Sequence, residues 1–209
     1  MAESENLIIA KIGGSFAFSK RLTVWLDALL LAAGRVVIVP GGGPFADAVR
    51  TAQPAMGFDD RAAHRMGLLA MEQFGCALAG LRPSLRLAES AAAIRSALRF
   101  GEVPVWAPTR MVLEAKDVPA SWDVTSDSLA AWLAGALGAK LLLLVKSGEP
   151  PQARLRAADL AAGGVVDSCF PRFLAASGAR AYLAGPEDHA AFATSVRSGE
   201  MVGVRIGTS

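Results

Sequence analysis

Leu7-Ile8-Ile9-Ala10-Lys11-Ile12-Gly13-Gly14-Ser15 decides how the chain is read: a short apolar run, interrupted by one lysine, stops dead at a double glycine. Such a run is long enough for a buried strand and too short for a helix. A second one, Arg35 to Pro40, stops at Gly41-Gly42-Gly43. Between them Phe18, Leu22, Trp25, Leu26, Leu29 and Leu30 recur at helical spacing. Two strands joined by a helix form the crossover that parallel pairing requires. Pro44 suits the first turn of a further helix, where its missing N–H has no partner to lose, and that helix is expected to reach about Gln53.

Working outward, Asp59 and Asp60 open a helical pattern with His64, Leu68, Met71 and Leu78 on one face, ending near Gly80. Ser90 caps another helix. Val103 to Ala107 reads as a strand, and Pro108 to Trp122 as irregular. Thr125-Ser126-Asp127-Ser128 starts a helix through Leu129, Trp132, Leu133 and Leu137 to Gly138. Lys140 to Val145 is almost pure leucine, as strands covered on both faces are. Arg180 to Ala184 and Met201 to Ile206 read as strands, with a helix between them carrying Glu187 and Asp188 in its first turn. The alternation predicts an α/β three-layer helix-sheet-helix sandwich with a mainly parallel central sheet. It reads as a single domain over 1–209, with an acceptor and phosphate lobe (1–147) and a short nucleotide lobe (148–209) meeting at Gly148 to Ala153.

Composition narrows the function classes. Of 209 residues, 53% are hydrophobic and 19% charged, so the chain folds rather than staying disordered. Lys and Arg (21) exceed Asp and Glu (19) by a net charge of +2, too little and too scattered for a nucleic-acid surface. Cys76 and Cys169 have no CxxC partner or neighbouring histidine, which gives neither a zinc site nor a disulfide framework. The N-terminus is acidic and polar, and no apolar run approaches the ~18 residues that span a bilayer. A cytoplasmic protein without membrane partners is expected.

Glycine turns at strand ends let backbone N–H groups approach phosphate where a Cβ would block it. Lys11, at the end of the first strand, is a point charge suited to a transferring phosphoryl group. The bland alternative is that the glycines only permit tight turns and the lysine snorkels. His64 either packs on its helix or lines an acceptor pocket. His189 reads as solvated. Trp106, Trp122 and Trp132 read as core or interface residues, with Trp122 also able to stack on a ring.

Lys11-Ile12-Gly13-Gly14-Ser15 resembles the opening signature of the amino acid kinase superfamily. Val39-Pro40-Gly41-Gly42-Gly43 with Asp47 resembles its second phosphate turn, and Thr125-Ser126-Asp127 its aspartate-bearing helix start. The resemblance implies an ATP- and Mg²⁺-dependent kinase, commonly a homodimer or higher oligomer, here pairing through the helix from Asp59 to Gly80. It implies catalytic roles for Lys11 and Asp127, the aspartate orienting the lysine. Lys11, Gly13, Gly14, Ser15, Gly42, Gly43, Lys146 and Ser147 are the implied phosphate and ATP ligands. Gly41, Gly42, Asp47, His64, Trp122, Asp123 and Ser126 are the implied acceptor contacts, with no protein metal site.

Two departures stand out. Ser168-Cys169-Phe170-Pro171-Arg172-Phe173 occupies the place of a lysine-bearing segment, so Arg172 is expected to serve as the second catalytic cation. Lys146-Ser147-Gly148 replaces an aspartate-rich stretch. Within the superfamily Trp122 to Ser128 is most similar to the kinases of methanofuran-type cofactor biosynthesis. That implies a phosphomonoester acceptor bearing an amine, with Asp47 or Asp123 as the ammonium's partner. Two other readings remain open. Gly41 to Ala46 also fits a dinucleotide fingerprint with Asp59 and Asp60 downstream, and a kinase-fold binding protein without turnover is compatible with Arg172.

Overall fold

The computed structural model describes residues 6–150, 155–198 and 200–208. The acidic N-terminal stretch and half of the expected lobe boundary, Gly148 to Ala153, lie outside those ranges.

β1 (Ile8–Ile12), β2 (Val36–Pro40) and β5 (Leu141–Val145) form the centre of the sheet, all fully buried and all parallel. On their flanks stand β3 (Leu85–Ala88), β4 (Val103–Trp106), β6 (Leu155–Arg156), β7 (Arg180–Ala184) and β8 (Val204–Gly207). Among the described residues the order is β3-β4-β2-β1-β5-β7-β8-β6. Among these strands only β8 against β7 runs antiparallel in the described residues. The sheet passes without a break from the first expected lobe into the second, because β5 pairs with β7 from Leu141↔Arg180 to Val145↔Ala184.

Strand alternation divides the apolar residues between two cores. Ile9, Val37, Val39, Leu142 and Leu144 pack with α6 (Ser126–Leu137) and α8 (Phe170–Ser177). Ile8, Ala10, Ile12, Ile38, Leu143 and Val145 pack on the other face with α1 (Arg21–Leu30) and with Phe192 and Val196 of α9 (His189–Ser198). Helices on both faces of a mainly parallel sheet make the expected sandwich. α6 is buried nearly all round, which its run of Ala and Leu allows.

Several boundaries differ from the sequence reading. α2 (Gly43–Met56) continues past Gln53 through Pro54, which costs one hydrogen bond, and ends where Gly57 turns left-handed at φ 75°. α3 (Asp60–Leu81) starts as expected, with the Asp59 carboxylate accepting from Ala62 N at 2.8 Å. α4 (Ala91–Arg99) is capped by Ser90. The stretch read as irregular contains α5 (Thr109–Glu114), and its leading Thr109 N–H is held by Glu72 Oε1 at 2.9 Å. β3 escaped the reading because Arg86 and Leu87 are exposed on this edge strand. α7 (Ala157–Ala162) and α8 also went unread. α9 begins after Glu187 and Asp188, and Asp188 instead caps the turn by accepting from Gly185 N at 2.8 Å.

Candidate active site

Both glycine turns leave the sheet side by side at the carboxyl ends of β1 and β2. The ladder continues past the strand ends, with Gly41 N donating to Ile12 O at 2.8 Å and Gly13 N to Val145 O at 3.0 Å. The turns touch. A Cβ on Gly14 would collide with Gly43 N and Cα, and one on Gly41 with Gly14 N. These glycines are therefore required first by the backbone-to-backbone approach of the two turns, a reason additional to room for a ligand. Gly43 also holds φ 53°.

Alternation on β1 sends Lys11 to the same face as Ile9, towards α6. On β5 the same rule takes Leu142, Leu144 and then Lys146 to that face. Asp127, in the first turn of α6, waits between them. Lys11 Nζ lies 2.8 Å from Asp127 Oδ1, and Lys146 Nζ donates to Oδ2 at 2.7 Å. Lys11 and Asp127 are each 4% exposed. Burial alone works to raise the Asp127 carboxyl, and the two ammonium groups outweigh it, holding it below the ordinary carboxylate range. Lys146 is pushed down to about 8 by burial first and by the Lys11 charge second, against the pull of Asp127.

α6 is held by a carboxylate from elsewhere in the chain. Asp167 Oδ2 accepts from Thr125 N at 3.0 Å, Thr125 Oγ1 at 2.8 Å and Ser128 N at 3.0 Å, while Oδ1 accepts from Ser128 Oγ. The Thr125 side chain makes no cap of its own. Asp167 thus supplies the N-terminal acceptor that the helix needs.

In front of Lys11 opens a cleft of about 300 Å³. Lys11, Gly14, Ser15, Gly42 and Gly43 line it, as do Asp47, His64, Trp122, Ser126 and Asp127. Gly13 and Gly41 flank it within the turns, and Ser147 Oγ accepts from Ser15 Oγ at 2.8 Å beside it. Two expected residues stand elsewhere. Arg172 is on α8, where its guanidinium lies 4.6 Å over the Phe173 ring and donates to Asp117 O at 3.2 Å, in a separate groove. The second ammonium at Asp127 is that of Lys146, which β5 delivers, while α8 directs Arg172 into the other groove. Asp123 does not line the cleft; its carboxylate accepts from Ser121 and Ser168 hydroxyls, each at 3.0 Å.

The reading from sequence passed over Arg50, which pairs with Asp47 at 2.7 Å and covers the Trp122 ring at 4.7 Å, and Gln53, whose Oε1 accepts from Trp122 Nε1 at 2.7 Å. Arg50 follows Asp47 by three residues in one helix, a spacing that pairs side chains. Asp167 carried no local signal. His64 is buried and lines the cleft, and burial pushes its imidazole below its ordinary value against the influence of the Ser121 carbonyl. His189, expected to be solvated, is half-buried edge-on to Trp25 at 6.3 Å.

Fold and site together define an α/β sandwich protein with a cationic, glycine-walled cleft at the carboxyl ends of its parallel strands, where open α/β sheets bind ligands. The chain belongs to the amino acid kinase family, whose model matches residues 6–149. It is 25% identical over 140 residues to the [5-(aminomethyl)furan-3-yl]methyl phosphate kinase of Methanocaldococcus jannaschii, a match covering 65% of this chain and 63% of that relative. In fold it is similar to uridylate kinase from Archaeoglobus fulgidus, with a TM-score of 0.71 and 17% identity over 96% of this chain and all of that one. It is also similar to UMP kinase from Ureaplasma parvum, with a TM-score of 0.69 and 16% identity over 97% of this chain and 99% of that one. No described helix is long and apolar enough to cross a membrane.

Proposed function

We propose that this protein is a cytoplasmic kinase that transfers the terminal phosphoryl group of Mg-ATP to a small phosphomonoester, giving a diphosphate. The observation that carries this reading is the Lys11-Asp127-Lys146 arrangement beside two glycine turns. Two cations at one carboxylate leave a net positive centre where two phosphates must approach each other. Asp127 positions the lysines and takes no proton, since an acceptor phosphate is already ionised. Catalysis is then in-line positioning and charge neutralisation. The backbone of Gly14, Gly42 and Gly43 and the Ser15 hydroxyl, which line the cleft, suit the phosphates. In this reading Mg²⁺ travels on the nucleotide phosphates.

The acceptor we favour is [5-(aminomethyl)furan-3-yl]methyl phosphate, the substrate in the name of the curated relative, since the cleft is small and walled by an indole. The test is to mix protein, Mg-ATP and this acceptor, with UMP and glutamate as comparisons, and follow products by phosphorus NMR. ADP with a new diphosphate supports the proposal; phosphorylation of glutamate alone sinks the phosphomonoester assignment. Self-association, at least to a homodimer, fits the exposed Met66, Leu69 and Leu81 of α3. A monomer mass by light scattering at micromolar concentration counts against it.

A further inference from the structure

Inside the cleft the wall facing the glycine turns is apolar and fixed. Leu68 and Met71 present one stripe of α3, and Gly67 brings the helix backbone against the Trp122 ring, where an added Cβ would lie 3.6 Å from Trp122 Cζ3. The indole cannot swing away easily, being tied to Gln53 on its edge and covered by Arg50. Set in this wall is one polar side chain without a match. His64 is 6% exposed, and its Nε2 is buried with no hydrogen-bond partner among the described residues. Buried polar atoms are seldom left so, and one that lines a cleft marks a place for a ligand atom.

The character of that atom follows from the imidazole. A neutral ring offers one N–H and one lone pair. Burial favours the neutral ring, and the Ser121 backbone carbonyl acts on it as an acceptor for its proton. Since Nε2 has no partner, the proton so held is assigned to Nδ1, which leaves Nε2 with a lone pair. The carboxylates nearby are already matched. Asp47 is paired with Arg50, Asp127 with two lysines, and Asp123 takes two serine hydroxyls away from the cleft.

We propose that His64 Nε2 is the specificity contact for the acceptor, accepting a hydrogen bond from an N–H or O–H donor on a flat, apolar acceptor body that lies against Trp122 and Met71. The inference rests on the kinase reading above and deepens it. Recognition of an amine passes from the carboxylates to a neutral nitrogen lone pair. An acceptor without a donor leaves that lone pair buried and unpaired, and discrimination of this kind is strong because the penalty falls on the protein.

The experiment compares three acceptors that differ only in the substituent remote from the phosphate: aminomethyl, hydroxymethyl and methyl furanmethanol phosphates. Wild-type protein is expected to show a KM at least tenfold lower for the two donor-bearing acceptors than for the methyl one, with the KM for ATP unchanged. In His64→Leu the three acceptors converge. Equal loss on all three acceptors overturns the proposal. Nitrogen NMR of the imidazoles gives a readout independent of turnover and of how well the variant folds. The chain has two histidines, so His189→Asn assigns both rings. Nε2 of His64 is expected to be unprotonated in the free protein and to shift on adding the aminomethyl or hydroxymethyl acceptor, and less with the methyl one. A protonated Nε2, or one that ignores the donor-bearing acceptors, overturns the inference whatever the turnover. Failure of the kinase reading shows separately, as no ADP release with any acceptor.

Discussion

Lys146 Nζ stands 2.7 Å from Asp127 Oδ2, while Lys11 Nζ lies 2.8 Å from Oδ1 of the same carboxylate. The second cation of the site therefore comes from the end of β5, next door to β1, and both lysines reach the same carboxylate from parallel strands. A lysine there is half of a coupled arrangement whose charge depends on pH, unlike the arginine expected from α8.

Activity should accordingly fall on the alkaline side. Lys146 is depressed to about 8, so kcat/KM for the nucleotide should decline above about pH 8 as the free protein loses that charge. Lys146→Arg, which stays protonated, should lose the alkaline limb even if its overall rate is lower. A parallel decline in both proteins would assign the limb to another group. Stability has the opposite sign. Between about 8 and the ordinary 10.5 the unfolded chain binds more protons than the folded one, so this group makes unfolding harder as pH rises through that window. Urea titrations across the window read this directly.

Asp127→Asn should cost both activity and stability. Removing the carboxylate leaves two largely buried ammonium groups facing each other, and breaking a buried ion pair costs on the order of 3 kcal/mol. The lowered Asp127 pKa contributes stability that is present above the ordinary value of 3.8 and lost as pH falls through the folded value. Melting scans at neutral pH and in acid test this, and an unchanged melting temperature at neutral pH counts against the charge balance described.

Asp167 never enters the cleft, yet Asp167→Ala should depress kcat. Its carboxylate accepts two backbone N–H groups and two hydroxyls at the start of α6, one turn from Asp127. Loss of such a cap costs about 1 to 2 kcal/mol and frees the turn that aims Asp127. Asp167→Asn, which keeps one acceptor oxygen, should recover part of the rate. If both variants lower stability while kcat stays intact, Asp167 is a structural cap alone.

Gly14→Ala should be more damaging than Ala at Gly13. At Gly14 the new methyl meets the backbone of Gly43, which cannot yield, while at Gly13 its nearest contact is Val145 O at 3.2 Å. The expected signs are a lower melting temperature and loss of Mg-ATP binding by calorimetry for Gly14→Ala, against modest changes for Gly13→Ala. Equal behaviour would mean that the turns do not need their close approach.

Lys11 was legible in the sequence because strand, lysine and double glycine are neighbours in the chain, and the central strands were legible because burial on both faces demands unbroken apolar runs. The helix bearing Asp127 announced itself through its polar first turn. β3 did not, since an edge strand exposes Arg86 and Leu87 and loses its pattern. The direction of Arg172 was not legible for a related reason. A motif assigns Arg172 by its position along the chain, whereas its direction depends on how α8 is rotated against α6. Lys146, already among the implied ATP ligands, could have been placed at Asp127 from the alternation of Leu142 and Leu144, provided the pairing of β5 with β1 was known. Asp167 lies 40 residues beyond Asp127 in the sequence, and that His64 Nε2 lines the cleft buried and without a hydrogen-bond partner among the described residues depends on how α3 packs. Local chemistry and periodicity are written in consecutive residues, so the sequence by itself determined the strands, the glycine turns and the first lysine. Charge partners and buried lone pairs are relations between residues distant in the chain, and only the packed tertiary structure decided them.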